Sequence, residues 1–289
     1  MLASVLWALQ AFDLALLVAG GVIGLVYWRN ARRSARAGAA LLATSASAAR
    51  PGLVLGFTCL GLYYVAQLMA IGTVTIWYPA SQVEQPTSPA WYAANLATDG
   101  AKLVAALVFA ALLAPRPVRL ERGAAARVVG MSAAGAWRYV LGGTLTILAA
   151  TTAILAIVHP VLEWAGWDVP EHPVLIALRE GTLPAAAVAQ LAFGALVVAP
   201  LVEELLFRGV LLGGVLRATR DPAVAIVATG VAFGLVHAFQ PQAVAPLAVM
   251  GMMLAYVRLR TGVLWPCVLV HTLFNGRTIG YTLLGVPIE

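Results

Sequence analysis

The chain alternates between long apolar runs and short polar connectors. Apolar runs fall at about 1–28, 53–78, 96–113, 139–158, 184–216, from 222 onward, 243–257 and 263–284. A helix rising ~1.5 Å per residue needs ~20 such residues to cross a bilayer. The pattern therefore predicts an all-α fold, a polytopic membrane bundle of about eight transmembrane helices. Trp28, Trp77 and Tyr78 close the first two runs, where amphipathic rings suit a membrane interface. Pro222 follows the turn of Arg217, Arg220 and Asp221 and opens the sixth run, a position helices favour for proline.

Composition agrees with this class. Of 289 residues, 62% are hydrophobic and only 10% charged, with mean hydropathy +0.90. A soluble domain carries about a quarter charged residues. The net charge of +6 is no nucleic-acid footprint, because the arginines sit in short clusters between apolar runs. Arg29, Arg32, Arg33 and Arg36 follow the first run, and Arg116, Arg119, Arg122, Arg127 and Arg138 follow the third. Arg217 and Arg220 follow the fifth, and Arg258 and Arg260 the seventh. The even connectors are acidic or neutral, with Glu84 in one and Glu163, Asp168, Glu171 and Glu180 in another. By the positive-inside rule this puts both termini on the extracytoplasmic side, in a prokaryotic plasma membrane for preference. The N-terminus lacks a basic start, so the first run is expected to be a retained span and not a cleaved signal. Cys59 and Cys267 have no Cys or His at ligand spacing and read as inert buried thiols.

The chemistry concentrates late in the chain, which divides it into N-terminal transmembrane helices (1–180) and a catalytic helical core (181–289). Glu203-Glu204 and Arg208, then Phe233 and His237, then His271 and Asn275 all lie inside apolar segments. Ionisable groups at membrane depth are costly and mark function by default. Counting helical rise from the inner turns puts Glu203 roughly 20 Å deep, His237 roughly 24 Å, and His271 and Asn275 roughly 16 and 22 Å. Three helices thus bring polar groups to a similar level. Glu204 and Arg208 are four apart and can pair, whereas Glu203 points about 100° away and lacks that partner. Such a carboxylate is free to act as general base or acid. His271 and Asn275 share a face, and Phe233 lies one turn before His237. Gly209 with Gly213, and Gly230 with Gly234, are expected to let the fifth and sixth spans approach and draw Glu203 towards His237.

Glu-Glu-x-x-x-Arg, Phe-x-x-x-His and His-x-x-x-Asn, in that order over 200–275, resemble the CAAX protease and bacteriocin-processing (CPBP) family. These are Abi-type, type II CAAX-prenyl-endopeptidase-like intramembrane proteases. The resemblance implies hydrolysis of a peptide bond in a membrane-associated, prenylated or unprenylated, protein or peptide. It implies that Glu203 activates water with His237 as partner, and that His271 and Asn275 stabilise the oxyanion. Glu204, Arg208 and Phe233 would organise the site or contact substrate. A mechanism without cofactor is preferred. Zinc held by Glu204, His237 and His271, with an open fourth position, is the second choice, although no His-Glu-x-x-His element occurs. Partners are the bilayer and a peptide substrate, with no nucleic acid. The alternative function is a non-proteolytic scaffold or a bacteriocin-immunity-type binding protein of the same fold.

Blander readings stand beside these. Glu204 with Arg208 is equally an internal ion pair, and interhelical glue is the lesser reading of Asn275. Asp13 reads as an exposed or locally paired carboxylate, and His159 and His172 as solvated loop residues. Asp99 and Lys102 are expected to pair at the start of the third span.

Overall fold

The computed structural model describes residues 53–83, 85, 88–113, 133–167, 169 and 173–285, together with positions 15 and 18. The expected first span, its arginine cluster, most of the basic connector before Arg138, and Asp13, Glu84, Asp168, Glu171 and His172 lie outside them. All regular structure among the described residues is helical.

Eight helices of seven residues or more carry the described fold, beside the single turn Ala80–Val83. They are α1 (Leu53–Thr75), α2 (Pro89–Leu113), α3 (Ala133–Trp164), α4 (Pro173–Arg179), α5 (Ala185–Thr219), α6 (Pro222–Leu235), α7 (Pro241–Thr261) and α8 (Trp265–Leu283). Five of them, namely α1, α2, α3, α5 and α7, contain stretches long and apolar enough to cross a membrane. The protein is an all-α polytopic bundle, but the expected count of eight spans is not reached among the described residues. The reasons are local. α6 has 14 residues, roughly 21 Å of helix against a hydrocarbon core of ~30 Å. α8 has 19 residues but carries His271, Asn275 and Arg277 along its length.

The α5–α6 turn forms as the sequence expects. Arg220 adopts a left-handed φ of 55°, and the Asp221 carboxylate accepts the Ala223 and Val224 N–H groups at 2.8 and 3.3 Å. It thereby caps donors that helix geometry leaves orphaned, with Pro222 in the first turn.

Close approach organises the rest. A side chain at Gly230 would lie 2.7 Å from the Met252 nitrogen and 2.8 Å from the Ala248 carbonyl. A side chain at Gly234 would run into the Val244 carbonyl, and one at Gly251 would lie 2.9 Å from the Gly230 Cα. This corrects the sequence expectation. Gly230 and Gly234 bring α6 onto α7, since the atoms a side chain at either would meet belong to Val244, Ala248 and Met252. α7 in turn packs on α3, which also receives α8, with Gly143 against Val257 and Val270. Arg260 donates to the Tyr139 hydroxyl at 3.0 Å and fixes the end of α7 to α3.

Gly230→Ala is expected to cost about 1–3 kcal/mol, because beyond the Met252 side chain the next two atoms met are backbone and cannot turn aside. Thermal unfolding in detergent checks this. A variant within a few tenths of wild type would mean that α6 and α7 do not pack this closely.

On the other side, α1 and α2 pair with each other and lie against α5. The main core gathers Cys59, Tyr63 and Phe109 from these helices with Val198, Val202, Leu206, Phe207 and Leu211 of α5. Both cysteines are free and buried.

Candidate active site

α5 is not a uniform α-helix. Two π segments, Gly194–Val198 and Leu205–Leu211, flank the six α-helical residues Ala199–Glu204 that carry both glutamates. Such insertions recur at functional sites, and here the first has a visible cause and use. The Ala199 N–H bonds to the Gly194 carbonyl, five residues back. Pro200 has no N–H to offer the next carbonyls, so those of Ala195 and Leu196 need other donors. α8 supplies them. Asn275 Nδ2 donates to Ala195 O and Thr272 Oγ1 donates to Leu196 O, both at 2.8 Å. Freed carbonyls in a membrane helix are satisfied in just this way by polar side chains of neighbours. Proline and π turn therefore lock α8 in register against α5.

That register brings His271 beside the glutamates. Its Nδ1 lies 3.0 Å from Glu204 Oε1, and its Nε2 lies 3.9 Å from Glu203 Oε2. Glu204 is fully buried and also pairs with Arg208 Nη1 at 2.8 Å, as the four-residue spacing expects. Arg208 Nη2 donates to the Gly251 carbonyl at 3.0 Å, which the glycine contacts between α6 and α7 bring within reach. Glu204 is thus neutralised and hydrogen-bonded, which makes its burial tolerable. Glu204 Oε2 and Arg208 Nε have no hydrogen-bond partner among the described residues.

Glu203 differs from its neighbour. Its side chain is 16% exposed, and its sole ion-pair contact among the described residues is with His271.

Phe233 occupies the centre of the cluster. Arg208 Cζ lies 4.6 Å above its ring, a cation–π contact. Phe207, His237 and His271 surround it with ring centroids at 5.0, 5.2 and 5.8 Å. His237 sits in the turn after α6, and its Nδ1 is 2.8 Å from the Phe233 carbonyl. A carbonyl only accepts, so Nδ1 carries the proton and, in the neutral ring, Nε2 is left as an acceptor.

Glu204, Arg208, Phe233 and His271 are in direct contact, and Glu203 stands at their edge. Asn275 lies one turn along α8 and is tied to α5. Among the described residues no hydrogen bond or ion pair joins His237 to Glu203, and the two sides of the cluster meet through Phe233. Nor is there a group of three His, Cys, Asp or Glu side chains placed to hold a metal ion. Glu204, His237 and His271, the expected zinc set, do not form such a group among the described residues.

Other residues join the site without a local sequence signal. Tyr63 and Tyr64 of α1 lie within electrostatic reach of Glu203. The Asp99 carboxylate packs on Gly194, so that a side chain there would lie 2.9 Å from Asp99 Oδ2. Asp99 also pairs with Lys102 at 3.4 Å, as expected. Thr272, three residues before Asn275, lies on the same face of α8 and also bonds to α5. His159, expected in solvent, pairs at 3.5 Å with the exposed Glu163.

Residues 184–277 match the family model described as type II CAAX prenyl endopeptidase Rce1-like. The chain carries an Rce1-like domain. The match spans α5 to Arg277 of α8 and contains Glu203, Glu204, Arg208, Phe233, His237, His271 and Asn275. This match and the apolar helices make the protein an integral membrane protein whose residues 184–277 are similar to a CAAX-type protease domain. No curated protein and no solved structure matches the chain. α1 to α4 lie outside the Rce1-like domain, yet α1 and α2 pack directly on its glutamate helix.

Proposed function

We propose that the protein is an intramembrane endopeptidase that hydrolyses a peptide bond in a membrane-associated protein or peptide, using water activated by Glu203. The observation that carries this reading is the contrast between adjacent carboxylates. Glu204 is buried and neutralised by Arg208, while Glu203 is partly open and faces His271 Nε2 at 3.9 Å.

Amide hydrolysis needs a base for water, donors for the oxyanion and a proton for the leaving amine. Glu203 takes one water proton, and His237 Nε2 accepts a hydrogen bond from the other. The hydroxide adds to the carbonyl carbon. Asn275 gives one N–H to Ala195 and keeps its second for the developing oxyanion. His271 in its protonated form adds a donor there, with Glu204 orienting the ring through Nδ1. As the C–N bond breaks, the proton held by Glu203 passes to the leaving amine. No step is routed through a metal. The basic ends of α5 and α7 are taken to face the cytoplasm. The substrate then reaches the site along the membrane plane, with a prenyl or other lipid anchor holding it there.

The test uses protein reconstituted in liposomes and a prenylated peptide with its unprenylated counterpart. The expected result is cleavage that survives a strong zinc chelator, with faster turnover of the anchored peptide. Loss of activity with chelator and recovery with zinc would overturn the metal-free mechanism. Absence of cleavage of any anchored peptide would count against the enzyme reading.

A further inference from the structure

α2 lies outside the Rce1-like domain but runs beside its glutamate helix in the same direction. Trp91 of α2 shares a small core with Ala187 of α5, and further along both helices the Asp99 carboxylate lies against Gly194. Asp99 follows Pro89, the first residue of α2, by roughly 15 Å of helix, which is near the middle of a ~30 Å hydrocarbon layer. A carboxylate at that depth is costly and marks function by default. Lys102 offsets its charge at 3.4 Å, and the Asp99 and Lys102 side chains are only 17% and 21% exposed. The hydrolytic steps given above use neither residue.

The contact with α5 is close. A side chain at Gly194 would lie 2.9 Å from Asp99 Oδ2 and 3.3 Å from Oδ1, so glycine alone leaves room for the carboxylate at the helix backbone. Gly194 is also where α5 departs from α-helical geometry. It opens the first π segment, and its carbonyl accepts the Ala199 N–H. The next two carbonyls are held by α8, Ala195 O by Asn275 and Leu196 O by Thr272. Asp99 thus meets the wide turn at its first residue, and α8 meets it at the following two.

We propose that Asp99 is a positioning residue, which seats its carboxylate on Gly194 and holds the first π turn of α5 in the shape that α8 engages. The inference rests on the water-activation reading given above, because what the turn aims is Glu203 against His271 and Asn275. A π turn shifts the phase of every residue that follows it. Loosening it re-aims both glutamates, while His271 and Asn275 stay on α8. A displacement of about 1 Å at a reacting group can cost about a hundredfold in rate. The N-terminal helices then take part in the chemistry without touching the substrate.

The experiment takes wild type, Asp99→Asn, Asp99→Ala, Gly194→Ala, the double variant Asp99→Ala/Gly194→Ala and Glu203→Gln, in liposomes with one anchored peptide. Backbone hydrogen exchange over 194–199 and thermal midpoints are measured on the same proteins. Asp99→Ala and Gly194→Ala are each expected to lower kcat about 10-fold with KM within about twofold, and the double variant to lower it no further, since both undo one contact. Exchange over 194–199 should quicken in all three while the midpoints hold. Asp99→Asn keeps the shape of the carboxylate and should stay near wild type in both readouts. Losses that multiply to about 100-fold in the double variant would overturn the role of Asp99, as independent sites combine that way. So would unaltered exchange in Asp99→Ala, or a loss of kcat that tracks a fall in the midpoint. Cleavage that persists in Glu203→Gln would overturn the water-activation reading instead, and the exchange data would still decide whether Asp99 holds the turn.

Discussion

Glu203→Gln is expected to lower proteolysis by about a thousandfold or more while leaving the fold in place, as removal of a general base does. The amide matches the carboxylate in shape but cannot take a proton from water. Glu203 also contributes little to the packed core, since its side chain is partly exposed and its one ion-pair contact among the described residues, at 3.9 Å to His271, is long. Its unfolding midpoint should therefore stay close to that of wild type. Glu204→Gln is the informative contrast. It weakens the buried pair with Arg208 and should fail through stability as well as activity. Comparable unfolding behaviour of the two variants would contradict the division of labour between the adjacent glutamates.

Arg208→Ala should be among the most destabilising substitutions in the Rce1-like domain, at about 3–5 kcal/mol, because it leaves the Glu204 charge buried without its partner. The guanidinium is almost fully buried, bonds Glu204 and the Gly251 carbonyl together, and lies over Phe233. Removing it also opens a void beside that ring. Arg208→Lys keeps the charge but not the two-pronged reach, so it should fall between wild type and Ala. The double variant Glu204→Gln/Arg208→Met removes both charges and should recover much of the loss. Equilibrium unfolding of the detergent-solubilised proteins gives the comparison. A cost below about 1 kcal/mol for Arg208→Ala would mean that the pair behaves as a solvated surface bridge.

The residues that could be read from sequence are those whose relation is local. Glu204 with Arg208, Phe233 with His237, and Asp99 with Lys102 lie three or four apart on helices, and helical geometry alone predicts each contact. The meeting of His271 with the glutamates was legible through depth, since residues at a similar level on neighbouring helices are placed to touch. The glycine pairs misled because small residues announce close approach without naming the partner. Gly230 and Gly234 face α7. The π turns shift the phase of α5 by inserting residues into an otherwise regular run. Pro200 was the available signal, since a proline inside an apolar helix orphans the carbonyls four and five residues back. Tyr63, Tyr64 and the Asp99 contact with Gly194 come from helices distant in sequence, and no spacing rule reaches them.

Proteolysis by this protein is assigned to Glu203. The direct test compares the termini of membrane proteins in cells carrying wild-type protein or Glu203→Gln at equal expression. The account predicts new termini with wild type that are lost in the variant, and those termini would name the substrate. Identical terminus profiles under several growth conditions would contradict it and favour a non-proteolytic binding protein of the same fold.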